Sequence, residues 1–323
     1  MPLFEFDLID RYFARPRPRR ADVRLGIGDD AAVLDVSPRT EVVVASDTYT
    51  SGPPGAAALP PPEEIAHRAL AGALAGLAAA GASPAWFTLA LTLPAAAPDW
   101  LEPFSRTLLD LGAQFGAELV GGDTTSGPLA VTVHAHGVVP AGGATPPSGA
   151  RPGDLIFVTG TLGDAGLAIL ARRGEVRLPG KDRALVERRL TRPEPRLASG
   201  WAIRGLASAA VDLPDGLAGG LSELLGPDGP GATLYAEQLP ISETLRRHLE
   251  RSGGWVLPLT GPGDGEMCFT LAAERQAELA ARLGDHPPGC TWVGTVDRAP
   301  GLRCLLADGT DIAPSWPASR WGR

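Results

Sequence analysis

Five short acidic motifs carry the residues of this sequence that could do chemistry. They are GIGDDAAV (26–33), SDT (46–48), GGDTT (121–125), VDLPDGL (211–217) and GPGDGE (261–266). The aspartates follow strand-like apolar stretches, so we expect them to lie at strand ends and to point into a shared space. Clustered carboxylates repel one another unless cations bridge them. Hard oxygen ligands of this kind suit Mg²⁺, which typically joins carboxylates to substrate phosphates. The motifs therefore indicate phosphoryl-transfer chemistry.

Each motif taken alone also has a purely structural interpretation. GIGDDAAV is typical of a β-turn with Asp29 as the turn residue, and on its own it favours that turn. In GGDTT, the hydroxyls of Thr124 and Thr125 can bind phosphate oxygens or a metal-bound water, but the motif also suits a turn closed by an Asx hydrogen bond. Asp215 could be only the N-cap of a helix over 216–225. Five such motifs in one chain are much harder to explain in this way than any single one.

The elements that must position these motifs follow from periodicity and from proline and glycine. Before residue 140 we expect helices at 7–13, 62–80 and 99–115, strands at 23–27, 31–34, 42–45 and 86–94, a strand that runs into a glycine turn at GGDTT, and a strand at LAVTVHAHGVVP. Proline and glycine cluster from 140 to 152, which predicts a boundary between domains over 1–145 and 146–323. Beyond it we expect a strand at 155–158, the glycine-rich turn TGTLGDAG, and helices at 165–173, 181–190 and 216–225. That turn resembles a phosphate loop but lacks the lysine of a Walker A motif.

Composition limits the possible function classes. The chain has 323 residues, 44% of them hydrophobic, and a net charge of -8, which argues against a general nucleic-acid surface. The basic segment 11–20 is short and broken by proline, which favours a solvated loop over the alternative of a patch that steers phosphates. Cys268, Cys290 and Cys304 are too few and too irregular for a disulfide framework or a zinc site, which fits a reduced, cytoplasmic compartment. The N-terminus does not read as a signal peptide, and 69–82 is too short to span a bilayer, so no membrane association is expected.

In sequence order the motifs resemble the thiamine-monophosphate kinases of the aminoimidazole-ribonucleotide-synthetase-like superfamily. The matching stretches are FDLIDRYFARP, LGIGDDAAVL, SDT, GASPAWFTLALTLP, LVGGDTTSGPLAVTVHAHGVVP, RPGDLIFVTGTLGDAGLAIL, RPEPRL and AAVDLPDGL. They run from about Phe4 to Leu221 and continue weakly to Trp292. LVGGDTTSGPL followed by RPGD and TGTLGDAG is the most specific combination.

The resemblance implies a fold and an activity. The fold has an N-terminal α/β domain whose strands form a β-barrel across a homodimer, and a C-terminal α+β domain, with ATP in the cleft between the domains. The activity is ATP-dependent phosphoryl transfer to thiamine monophosphate, or to another small phosphorylated acceptor, with Mg²⁺. Phosphoryl transfer depends on charge neutralisation and alignment more than on covalent catalysis.

The resemblance also implies roles for individual residues by motif position. The carboxylates that match the family's Mg²⁺ and nucleotide-phosphate ligands are Asp30, Asp47, Asp123, Asp212 and Asp215. Of these, Asp212 and Asp215 would be the catalytic pair. Nucleotide binding would involve Gly122, Asp123 and Thr124 together with Asp47 and Thr48. Asp264 falls in the acidic motif on the substrate side.

Several site positions depart from the family pattern. Gly76 stands where the family has a metal-binding aspartate, and Pro54 lies in a segment that replaces G-x-H-F, so a substrate-contacting histidine is missing. Pro214 replaces a serine. Gly263 and Gly265 replace an acidic residue and a tyrosine.

These losses leave two hypotheses. One is an active ATP-dependent kinase. The other is a catalytically impaired member of the family with a nucleotide-binding, regulatory or structural role. The small residues Gly72, Gly76 and Ala80 form one helical stripe, which suits close helix packing rather than metal ligation.

Overall fold

The computed structural model describes residues 5–14, 20–51, 59–252, 254–284 and 289–313. Residues 52–58 of the predicted loop, which include Pro54, and residues 15–19 of the basic segment lie outside these residues. The chain divides into an N-terminal unit, Met1–Leu77 with Ala82–Gly142, and a C-terminal unit, Ala78–Gly81 with Gly143–Arg323. Within the described residues, no helix combines the length and apolar character needed to cross a membrane.

The N-terminal unit is built on a four-stranded sheet. Its strands are β1 (Val23–Leu25), β2 (Val33–Leu34), β3 (Thr40–Thr50), β4 (Ser83–Leu93), β5 (Glu118–Ser126) and β6 (Ala130–Pro140), and its helices are α1 (Glu5–Tyr12), α2 (Pro62–Ala79) and α3 (Pro98–Gln114). The main sheet has the order β3-β6-β4-β5, with β1 and β2 forming a separate pair. Among the described residues this sheet is open, with β3 and β5 at its edges, rather than closed into a barrel.

Alternating burial fixes which face of this sheet is covered. In β6, Val131, Val133 and Ala135 are fully buried, while the residues between them are partly exposed. The buried residues join a core with the apolar side chains of α2 and α3, including Leu74 and Leu108. This is the one-sided pattern of a sheet with helices on a single face.

The C-terminal unit is a six-stranded sheet with helices on both faces. Its strands are β7 (Leu155–Thr159), β8 (Ala209–Asp212), β9 (Gly231–Tyr235), β10 (Met267–Leu271), β11 (Cys290–Asp297) and β12 (Leu302–Leu305), in the order β12-β9-β11-β7-β10-β8. The helices are α4 (Asp164–Arg172), α5 (Gly180–Thr191), α6 (Leu197–Ile203), α7 (Gly216–Leu225), α8 (Glu243–Ser252), α9 (Val256–Thr260) and α10 (Gln276–Leu283). Leu217 of α7 packs in one core, and Ile203 of α6 and Leu279 of α10 pack in another.

The predicted glycine turn at GGDTT is wrong. The motif continues β5, which pairs in parallel with β4 as far as Leu93 and Ser126. Gly122 has φ 154°, and a Cβ atom there would overlap the carbonyl oxygen of Leu89. Glycine therefore serves a close approach between two strands, since the hydrogen bonds of a neighbouring strand keep the backbone extended.

The expectation that the aspartates end their strands holds only in part. Asp212 is the last residue of β8, whereas Asp47 lies within β3 and Asp123 within β5. The helix at 216–225 is confirmed at its predicted bounds.

Candidate functional site

A pocket of about 430 Å³ in the N-terminal unit brings two of the acidic motifs together. The GIGDD turn contributes Asp29 and Asp30, and β5 contributes residues 121–124. Ile9 of α1 and Phe13, which follows the helix directly, form part of an apolar wall. The pocket thus combines exposed carboxylates with an apolar surface.

The two adjacent aspartates of the GIGDD turn have different surroundings. Asp29 accepts a hydrogen bond from the backbone N–H of Asp30 (2.8 Å), so it shapes the turn as the structural interpretation proposed. Both side chains are exposed. Asp30 therefore presents a carboxylate at the pocket, next to a turn that Asp29 stabilises.

Asp47 is not part of this pocket. The sheet register aligns Asp47 with Val133, Leu89 and Gly122 in one row across the four strands. Asp47 and Gly122 are therefore three strand spacings apart, about 14 Å. Since inner-sphere ligands of one Mg²⁺ lie about 2 Å from the ion, Asp47 and Asp123 of one chain do not share an ion directly.

Asp47 instead lies against helix α2. Its Oδ1 accepts the N–H of Thr48 (2.9 Å), and its Oδ2 faces Gly72. The Thr48 hydroxyl is exposed and lies 3.0 Å from that of Thr132 on β6. The strand therefore turns Asp47 toward the helix and Thr48 toward the uncovered sheet face.

Asp212 and Asp215 flank a turn in the C-terminal unit. Asp212 is half-buried at the end of β8, opposite Met267 of β10. Asp215 is exposed at the N-cap position of α7, but its side chain makes no capping hydrogen bond to the helix. Gly216 has φ 86°, and a Cβ atom there would lie 2.8 Å from the backbone of Thr260. Glycine at this position lets α7 begin directly after Asp215, close to the backbone of Thr260.

Asp264 lies in the interior of the C-terminal unit, with 3% of its surface exposed. Its two oxygens accept the N–H groups of Gly163 (2.5 Å) and Ala165 (2.8 Å), at the start of α4. Burial raises the pKa of Asp264 to about 7, although both backbone hydrogen bonds oppose the rise. The TGTLGDAG turn therefore has two of its N–H groups occupied by a carboxylate of the chain itself.

Glu266 is a functional-motif residue whose role the sequence did not reveal. It is 1% exposed and accepts hydrogen bonds from Thr159 (2.5 Å), Arg189 (2.5 Å) and Arg196 (2.7 and 2.6 Å). Arg196 belongs to the RPEPRL motif and Glu266 to GPGDGE. The opposite charges of these two motifs were the only feature of the sequence that could have predicted the pair. At Gly160 a Cβ atom would overlap the Glu266 carboxylate. These interactions join four segments around one buried carboxylate.

Two of the departures from the family pattern suit the backbone of this chain. Gly263 and Gly265 have φ 88° and 72°, a conformation that glycine adopts without steric cost. At residue 265 a Cβ atom would also lie 2.8 Å from that of Pro193. A Cβ atom at Gly76 would lie 2.8 Å from that of Ala45 on β3, so the helix is close to the strand there.

The donor set in the N-terminal pocket fits Mg²⁺. Across the described residues, no three His, Cys, Asp or Glu side chains already converge on one ion position. Asp30, Asp123 and the Thr124 hydroxyl are hard oxygen donors that line the same pocket. Mg²⁺ usually keeps waters and binds through one or two carboxylates plus substrate phosphates, which is what this set allows.

Comparisons with known proteins identify the family. Residues 28–139 match the model for the AIR synthase related protein N-terminal domain, and residues 151–306 match the model for its C-terminal domain. The thiamine-monophosphate kinase of Escherichia coli K12 is 42% identical over 314 residues, which cover 97% of this chain and 96% of that protein.

Solved structures agree. The thiamine-monophosphate kinase from Stenotrophomonas maltophilia has a TM-score of 0.81 and 38% identity, covering 91% of this chain and 93% of its own. AaThiL complexed with AMPPCP and TMP has a TM-score of 0.72 and 26% identity, covering 87% and 88%. The two-domain α/β architecture described above is therefore that of the AIR synthase related proteins, and the chain belongs to their thiamine-monophosphate kinase family.

Proposed function

We propose that this protein transfers the γ-phosphoryl group of ATP to thiamine monophosphate. An oxygen of the acceptor phosphate forms a bond to the γ-phosphorus while the bond from that phosphorus to the bridging oxygen breaks, giving thiamine diphosphate and ADP. The observation that carries the proposal is the pocket where the GIGDD turn meets Asp123 and Thr124, in a chain whose relatives include a kinase complexed with AMPPCP and TMP.

The pocket residues have distinct roles in this proposal. Asp30 and Asp123 bind Mg²⁺, and Thr124 and the backbone around Gly122 contact phosphate oxygens. When bound, Mg²⁺ neutralises charge on the transferring phosphates, which is the largest requirement of such a reaction. Gly122 lets a phosphate approach the backbone because no side chain covers it.

Five further residues complete the proposal. Asp47 and Thr48 contribute to metal and nucleotide binding from β3, while Asp212 and Asp215 act as the catalytic carboxylates of the C-terminal unit. Asp264 acts on the substrate side indirectly, by accepting hydrogen bonds from the TGTLGDAG turn. An acceptor that is already a phosphate anion needs no strong general base, so aligned carboxylates and metal suffice.

We also propose a homodimer whose N-terminal sheets complete a β-barrel. The long edge strand β3 exposes Val42 (43%) and Val44 (58%), and one face of its sheet is not covered by helices. An edge of this length, with unpaired backbone groups and exposed valines, is a surface that proteins normally cover. The cytoplasm is the proposed compartment, in keeping with Cys268, Cys290 and Cys304, which are free cysteines.

The 42% identity to a thiamine-monophosphate kinase, over 97% of this chain, supports an active kinase over an impaired member of the family, despite Gly76. The test is an assay of the purified protein with Mg²⁺, ATP and thiamine monophosphate, in which thiamine diphosphate and ADP should form in equal amounts. Omission of Mg²⁺ should abolish both products. ADP without thiamine diphosphate would show transfer to water in place of thiamine monophosphate, and no turnover would overturn the proposal.

A further inference from the structure

On two successive turns of helix α2, the residue that faces β3 is a glycine, Gly72 and then Gly76. At Gly72, an added Cβ atom would overlap Oδ2 of Asp47 and lie 2.7 Å from its Cγ. At Gly76, one turn later, it would lie 2.8 Å from the Cβ atom of Ala45. The two glycines thus face alternate residues of the same strand.

The two contacts differ in what would have to move. The Asp47 carboxylate is the end of a side chain that can rotate about χ1, so alanine at residue 72 would push the carboxylate away. The Asp47 Cβ atom would lie 3.2 Å from the added Cβ atom, which is a milder contact than that at residue 76. The Cβ atom of Ala45 is fixed to the strand backbone, so alanine at residue 76 would push the helix from the sheet. If both glycines served only helix packing, alanine would have the same effect at either position. The different contacts predict different effects at residues 72 and 76.

The Asp47 carboxylate has a restricted orientation in the space that Gly72 leaves. One carboxylate oxygen accepts the N–H of Thr48 at 2.9 Å, and the other occupies the space over Gly72. The side chain is half-buried, so the helix backbone limits the directions that it can take. One hydrogen bond and the nearby helix backbone restrict the orientation of this carboxylate, and an oriented ligand binds metal more tightly than a mobile one.

We propose that Gly72 is a positioning residue for the Asp47 carboxylate. It leaves the space on α2 that sets the direction of this carboxylate, and thereby its affinity for the metal–nucleotide complex. The inference rests on the proposed role of Asp47 in metal and nucleotide binding. It assigns to Gly72 a role that Gly76, on the same helix stripe, does not share.

The experiment compares Gly72→Ala with Gly76→Ala in the full-length protein. It measures Mn²⁺ binding in the presence of AMPPCP by electron paramagnetic resonance, the Mg²⁺ dependence of turnover, and Tm. For Gly72→Ala we expect Mn²⁺ affinity to fall about tenfold or more, as for other partners that orient metal ligands. Its Tm should change little, because the carboxylate moves and alanine is the better helix former. For Gly76→Ala we expect Mn²⁺ affinity within about twofold of the wild type, and a Tm lower by roughly 3 °C or more.

The outcomes separate this inference from the proposed function. Wild-type protein that neither binds Mn²⁺ with AMPPCP nor turns over would overturn the proposed function, and the inference with it. If the wild type is active but both variants keep the wild-type Mn²⁺ affinity, or both lose it equally, the inference alone is overturned. A Gly72→Ala protein that fails to fold also contradicts it, because the carboxylate would then not be the part that moves.

Discussion

Arg196 and Glu266 form a two-bond ion pair inside the C-terminal unit, with Nε–Oε2 2.7 Å and Nη2–Oε1 2.6 Å. The Arg196 side chain is 7% exposed and that of Glu266 is 0% exposed. A buried pair is costly to break because the remaining charge loses its partner in a medium of low dielectric constant. The pair therefore secures the GPGDGE motif to the RPEPRL motif.

The first prediction concerns the loss of this buried charge. Glu266→Gln keeps the shape of the side chain but leaves Arg189 and Arg196 without their shared carboxylate, so the free energy of unfolding should fall by about 3–5 kcal/mol. Urea unfolding of the full chain measures it. The control is Glu278→Gln on the surface, where a carboxylate also pairs with two arginines, Arg275 and Arg282. Equal losses in the two variants would contradict the assigned role of Glu266.

The second prediction follows from the raised pKa of Asp264, which is about 7 in the folded protein against 3.8 ordinarily. Its protonated form is the one that folding favours. The associated stability is complete below pH 3.8 and is lost as the pH rises through 7. The Tm of the wild type minus that of Asp264→Asn should therefore fall between about pH 4 and pH 7.

Glu278 gives a control with the opposite sign. Hydrogen bonds from Arg275 and Arg282 lower the pKa of Glu278, so its contribution is present above pH 4.5 and is lost as the pH falls. The Tm difference for Glu278→Gln should rise with pH or stay flat. A difference for Asp264→Asn that also rises with pH would show that its carboxyl is not protonated near neutrality.

The third prediction concerns activity at the N-terminal pocket. Asp123→Asn removes a charge from the proposed metal and phosphate site and should lower kcat/KM by about 10²–10³-fold, the range for loss of one electrostatic contact to a transition state. Asp110→Asn is the matched control, since Asp110 is exposed on α3. Steady-state kinetics with varied Mg²⁺ provide the measurement. Similar kinetics for the two variants would remove Asp123 from the site.

The fourth prediction concerns the proposed homodimer. Val44→Lys puts a charge on the exposed face of the edge strand and should shift the protein toward a monomer, as seen by light scattering after size-exclusion chromatography. Val256→Lys is the control, because Val256 is equally exposed (59% against 58%) but lies on α9. A wild-type monomer, or a Val44→Lys dimer of wild-type strength, would count against an interface on this face.

Local signals in the sequence were sufficient for most helices and for the family. The alanine-rich helix with Glu63 and Glu64 in its first turn begins at Pro62, as predicted. The GGDTT motif could not be placed correctly, because its extended form depends on pairing with β4, about 30 residues earlier in the chain. Local propensity therefore suggested a turn where a neighbouring strand enforces a strand.

Contacts between distant segments were the part that the sequence could not give. Asp264 bonds N–H groups 101 and 99 residues away, and Glu266 pairs with arginines on α5 and before α6. No periodicity encodes such partners. The contact between Gly72 and Asp47 is also invisible in the sequence, where Gly72 is only one member of a small-residue stripe.

The long-range cap on α4 has a consequence for the order of folding. Gly163 occupies the N-cap position of this helix and has no side chain that could accept the first N–H groups of the helix. Asp264 is the acceptor instead. Until the chain has reached Asp264, the start of α4 has only water as a partner. Closing a loop of about 100 residues costs much more chain entropy than forming the local hydrogen bonds of a helix. The glycine-rich turn should therefore take its final shape late, after β10 has joined the sheet beside β7.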